Sequence, residues 1–87
     1  MSAKEMFEKL GYKMLGSFNP KYNYIITAWS KKIYDCETTI NFYADKNLRI
    51  VMENEKGCIY PPVFTLKELQ AINKQVEELT EERTSVL

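Results

Sequence analysis

Asp35 and Glu37 are the closest approach to an acid/base pair in this chain. They stand two residues apart in an extended segment, so their carboxylates share a face. There they could share a proton or hold a divalent cation. Cys36 lies between them and points the other way, into the expected core. Cys58 falls near a turn. A thiol reacts as its thiolate, which needs a basic neighbour to stabilise it. The chain has no histidine, which removes Ser-His and Cys-His nucleophile systems and imidazole zinc sites. Gly11, Gly16 and Gly57 are isolated, so no glycine-rich loop can cradle a phosphate. The expectation is a protein that is not an enzyme, with no cofactor and no resident metal.

The aromatic residues say more. Tyr22, Tyr24, Trp29, Tyr34, Phe42, Tyr43 and Tyr60 all fall in strand-like segments, more than a core of this size can take up. If the even positions of 22–29 face inward, Ile25 and Trp29 face outward, and Ile33, Tyr43 and Val51 join them. A contiguous apolar patch of this kind marks an interface, and tyrosine and tryptophan are favoured there. The predicted partner is another protein, with self-association through the same surface as an option. A second reading uses Tyr24, Trp29, Lys31, Lys32 and Arg49 to stack and hold a nucleic acid or nucleotide. The net charge of zero, from 12 basic and 12 acidic residues, weighs against it.

The elements that must position these residues are legible in the pattern. Ser2 and Glu5 form a capping box, and Ala3, Met6, Phe7 and Leu10 share one face of a short helix stopped at Gly11. Residues 12–18 predict a strand, 19–21 a turn, 22–29 a strand, and 30–32 a second turn. Residues 33–44 alternate over a long strand, with Tyr34, Cys36, Thr38, Ile40, Phe42 and Ala44 on one face. A three-residue loop at 45–47 leads into 48–53 and sets Phe42 against Ile50 and Ile40 against Met52, so apolar meets apolar. Asn47 would take the left-handed position of that loop. Turn 54–57 precedes a short edge strand at 58–60, which Pro61 and Pro62 end. Thr65 and Glu68 cap a last helix whose stripe is Leu66, Leu69, Ile72, Val76 and Leu79 and which frays near 80–82.

The fold class is therefore α+β: a helix, a four- or five-stranded antiparallel meander, and an amphipathic helix, with both helices on one sheet face. Eighty-seven residues allow one domain, expected over 1–82 with a flexible tail at 83–87. The core is small at this length, and self-association is one way to support it. Residues 1–49 carry eight basic and five acidic groups, and 50–87 four and seven; the solvated last helix accounts for the asymmetry. No apolar stretch of signal-peptide or membrane-spanning length is present, and two distant cysteines make no disulfide framework. A cytoplasmic location without membrane association follows as the expectation.

The two ends carry a resemblance. The opening 2–12 (SAKEMFEKLGY) and the closing 64–79 (FTLKELQAINKQVEEL) are similar to those of a family of small, mostly uncharacterised proteins from phages and prophages of Gram-positive bacteria. Between such ends the family carries a variable, strand-rich middle, as here. Members often end the helix on a Gly-Trp pair, where this chain has Thr80-Glu81-Glu82. The resemblance implies a setting, an infected or lysogenic bacterial cell. It also implies an accessory role by binding: inhibiting a host or defence-system protein, or sequestering a defence signal. It supplies no catalytic residue.

Overall fold

A computed structural model describes residues 1–15, 25–43 and 47–85, with the side chains of Ile25 and 81–85 left aside. In chain order the elements are α1 (Ala3–Lys9), β1 (Lys13–Met14), β2 (Ile25–Ile33), β3 (Cys36–Tyr43), β4 (Leu48–Asn54), β5 (Ile59–Tyr60) and α2 (Leu66–Ser85). The α+β class holds, with the strands in one antiparallel meander of order β1-β2-β3-β4-β5. The chain divides into two compact units. One holds 1–11 and 64–87, with both helices, and the other holds 12–63, with the sheet.

In the helical unit both capping boxes form. The Ser2 hydroxyl accepts the Glu5 N–H at 3.2 Å, and the Glu5 carboxylate accepts from the Ser2 hydroxyl at 3.1 Å. The Thr65 hydroxyl accepts the Glu68 N–H at 3.2 Å, and Glu68 accepts the Thr65 N–H at 3.0 Å. Each box satisfies helix-end donors that have no intrahelical partner. Gly11 takes φ +92°, the left-handed stop expected after Leu10. The α1 start is also tied to α2, because Glu78 accepts the Ala3 N–H at 2.8 Å.

The buried line of α2 differs from the expected stripe. Ala71 and Ile72 are buried and Gln75, Glu78 and Leu79 half-buried, while Leu66, Leu69 and Val76 are exposed. The small Ala71 permits close approach, which a hydrophobicity count does not register. The helix also continues to Ser85, beyond the expected fraying at 80–82, because Glu81, Glu82 and Arg83 are good helix formers.

In the sheet unit, β2 and β3 join through a two-residue turn, Tyr34-Asp35, with Ile33 opposite Cys36. The turn expected at 30–32 is instead strand, opposite 37–39. Tyr34, expected on the packed face of the 33–44 strand, is instead in the turn and 93% exposed, at φ +57°, the left-handed region that a side chain rarely enters. Between β3 and β4 the face assignment is as expected but the register is shifted by two. Phe42 meets Leu48, Ile40 meets Ile50 and Thr38 meets Met52. The Tyr43 N–H donates to the Asn47 carbonyl at 2.9 Å, so Asn47 pairs with Tyr43 and is not the last loop residue; residues 44–46 lie outside the described residues. Asn47 is not left-handed; among the described non-glycine residues Tyr34 alone has positive φ.

The register sorts side chains into two faces. One carries Met14, Trp29, Ile40, Ile50, Phe42, Leu48, Thr38 and Met52, with Trp29, Ile40 and Phe42 fully buried. The other carries the buried Ala28 together with Lys32, Glu37, Thr39, Val51, Glu53, Asn41 and Arg49, and is mainly polar. Residues 16–24, which include all of the expected turn at 19–21 and Tyr22 and Tyr24, lie outside the described residues.

Candidate functional site

The carboxylates named first come together only loosely. Asp35 belongs to the β2–β3 turn and Glu37 to the polar sheet face. Both line a shallow depression of about 240 Å³ that Lys32, Val51 and Glu53 also border. Glu37 stands directly opposite Glu53, an unfavourable like-charge pairing that solvent and Lys32, across from Glu37, temper. Lys32 itself is paired with Glu55 at 3.2 Å. Among the described residues no three Asp, Glu or Cys side chains are grouped to hold a metal ion. Cys36 is half-buried, and Cys58 is exposed in the 54–58 turn.

The five residues expected to form one outward patch do not share a face. Trp29 is only 1% exposed, opposite Ile40 in the core. The expectation that Trp29 faces outward, which rests on the even positions of 22–29 facing inward, is corrected: in β2 the odd position Trp29 is the buried one. A two-residue turn at Tyr34-Asp35 sets the odd positions of β2 against the even positions of β3, so Trp29 pairs with Ile40 beside the Thr27–Phe42 pair, and a register shift between Ile25 and Thr27 sets Ile25 on the other face. Ile33 shares Trp29's face but sits beside the turn and is 52% exposed. Tyr43 and Val51 are half-buried on the opposite, polar face, where Ile25 pairs with Tyr43. The side chain of Ile25 lies outside the described residues.

The stacking set is not assembled either. Trp29 is buried, Lys31 lies over the Tyr12 ring at 5.5 Å on the apolar face, and Lys32 and Arg49 point from the polar face. Lys32 is held by Glu55. Tyr24 lies outside the described residues.

Exposed apolar side chains of the sheet unit lie in two regions: Met14, Leu15, Ile26, Ile33 and Tyr34 along β1, β2 and the β2–β3 turn, and a second set along β4 and β5. Ile59 of β5 is 72% exposed, and Tyr60, Val63 and Leu48 of the same border are exposed as well. A built turn holds this border in place. The Asn54 side-chain oxygen accepts the N–H groups of Lys56 and Cys58 at 2.9 Å each. The Asn54 side-chain amide donates to the Tyr60 hydroxyl at 3.1 Å. Gly57 takes φ +83°, which its missing Cβ permits.

No family model, curated protein or solved structure matches the chain. The border must therefore be read from its own geometry.

Backbone directions along β4 follow from two hydrogen bonds. Tyr43 pairs with Asn47, and the Asn54 N–H donates away from β3, to Cys58, at 3.0 Å. Antiparallel pairing alternates, so Arg49, Val51 and Glu53 turn their main chain to β3, and Leu48, Ile50 and Met52 turn theirs outward. β5 covers only Met52 and Glu53. Continuing that register would set Pro62 opposite Ile50, and proline has no N–H to offer. Among the described residues no strand pairs with the outward groups of Leu48 and Ile50. Between them Arg49 is exposed on the polar face and makes no ion pair among the described residues. The sequence signal for this site was the Pro61-Pro62 pair, which cuts β5 short and leaves β4 longer than its cover.

Proposed function

We propose that this chain is a non-enzymatic binding protein, a phage-encoded accessory factor that engages a host or defence-system protein in the bacterial cytoplasm. The observation that carries the binding reading is the apolar β4–β5 border, with Leu48, Ile59, Tyr60 and Val63 in solvent. Ile59 stands on the polar face, opposite Glu53, and Tyr60 and Leu48 on the apolar one, so apolar groups flank both sides of this edge. Exposed apolar groups of this kind suit a protein interface, where tyrosine is a frequent anchor. The phage setting is supported by the resemblance of residues 2–12 and 64–79.

The test is affinity capture from a Gram-positive bacterial lysate by the intact chain and by an Ile59→Ser/Tyr60→Ser variant of equal melting temperature. The reading expects a partner that the native chain retains and the variant loses. Equal capture by both, or capture of nothing above background, would contradict it.

A further inference from the structure

We infer that the open edge of β4 takes up an extended segment of the partner protein as a sixth strand, and that the segment reads apolar–acidic–apolar. The inference rests on the protein-binding reading and adds the mode and the chemistry of the partner. An exposed strand edge is a template for main-chain pairing, and peptide recognition by strand addition uses it. Here the template is short and defined. Leu48 and Ile50 each turn one N–H and one carbonyl outward, and residues 61 and 62 are prolines.

Side chains set the specificity. Leu48 and Ile50 stand on the apolar face and Arg49 between them on the polar one. A paired segment places its own residues beside these, so apolar groups suit the positions across from Leu48 and Ile50. A carboxylate suits the position across from Arg49, because opposite charges stabilise and like charges destabilise cross-strand pairs. The neighbours of Arg49 on its face leave it available: Asn41 is its partner in β3, and no carboxylate bonds to it among the described residues.

The same arginine argues against a second copy of this chain. A two-fold pairing that uses the outward groups of both Leu48 and Ile50 sets Leu48 against the other Ile50 and Arg49 against its twin. Sliding by two residues sets Ile50 against Ile50 but runs Leu48 onto Met52, which β5 already holds. Of these two registers, which use described residues alone, one opposes like charges and the other forfeits half the hydrogen bonds. A charged residue at an exposed edge is a usual guard against self-pairing.

The test selects random twelve-residue peptides on the intact chain at low salt. Enrichment of a central Asp or Glu between apolar residues is expected. Saturating the chain with a synthetic enriched peptide should slow exchange of the Leu48 and Ile50 amides by about tenfold or more, leaving Arg49 and Val51 nearly unchanged. Arg49→Glu should weaken that peptide by about tenfold and move the central preference to Lys or Arg. Leu48→Pro, which lacks one outward donor, should bind more weakly than Leu48→Ala, which keeps it. Peptides that bind without protecting the two amides, or without a central acid, overturn strand addition and leave side-chain-mediated binding standing. Recovery of no peptide overturns the inference, while capture in the lysate test separately decides the broader reading. Amide protection that rises with protein concentration and no peptide assigns the edge to a second copy and also overturns it.

Discussion

Replacing Tyr34 with glycine should make the protein more stable, although it removes an aromatic side chain. Tyr34 is 93% exposed, so its ring contributes little burial. Its backbone sits at φ +57° in the two-residue turn between Ile33 and Cys36. A left-handed conformation costs an L-residue about 1–2 kcal/mol, which glycine does not incur. Glycine has a more flexible unfolded chain, a penalty of about 0.5–1 kcal/mol. The difference leaves about 0.5–1 kcal/mol in favour of glycine. For a chain of this size that raises Tm by roughly 2–8 °C. Tyr34→Ala is the control, since it removes the ring and keeps the strain. Thermal melts followed by circular dichroism and urea titrations would measure all three proteins. If Tyr34→Gly proves no more stable than Tyr34→Ala, then backbone strain at the turn is refuted.

Three further outcomes follow from the geometry. Glu78→Ala removes the carboxylate that accepts the Ala3 N–H at 2.8 Å and should cost about 1.5–3 kcal/mol by urea unfolding, as for a hydrogen bond to a charged group. Trp29→Ala empties a fully buried site and should cost about 3–5 kcal/mol, enough to unfold a small domain, whereas native Trp29 should emit at short wavelength and resist quenching by acrylamide. The Glu5 carboxyl is held below the usual glutamate range, chiefly by the Ser2 backbone N–H and then by its hydroxyl. A carboxyl lowered on folding stabilises above its unfolded pKa, and that contribution is lost as pH falls through the lowered value. Fraying of α1, read from amide exchange at Phe7, should therefore increase on acidification in the native chain and be nearly pH-independent in Glu5→Gln.

The parts of the fold that were legible in the sequence are those set by local chemistry. Ser2 with Glu5, Thr65 with Glu68, and Gly11 define helix ends through bonds between near neighbours, and all form as expected. The face shared by Ile40 and Phe42 was also legible, because strand alternation is local. Register was not. Tyr34-Asp35 lacks the glycine or asparagine that usually marks a two-residue turn, so the sequence points to a turn at 30–32 instead, and nothing in it marks the register shift between Ile25 and Thr27 that puts Ile25 and Trp29 on opposite faces. The β3–β4 register differs by two for a related reason: both registers set apolar against apolar, so alternation does not separate them. The binding border depends on which strand ends outlast their neighbours, and alternation alone does not carry that. Pro61 and Pro62 gave its only advance notice.

Residue-resolved amide exchange on the free chain, and again with its partner bound, tests the open edge most directly. Leu48 and Ile50 should exchange freely when the chain is alone, while Arg49 and Val51, bonded into β3, stay protected; partner binding should close the first pair. Slow exchange at Leu48 and Ile50 in the dilute free chain would mean that β4 already has a neighbour there, and that no strand site exists to be filled.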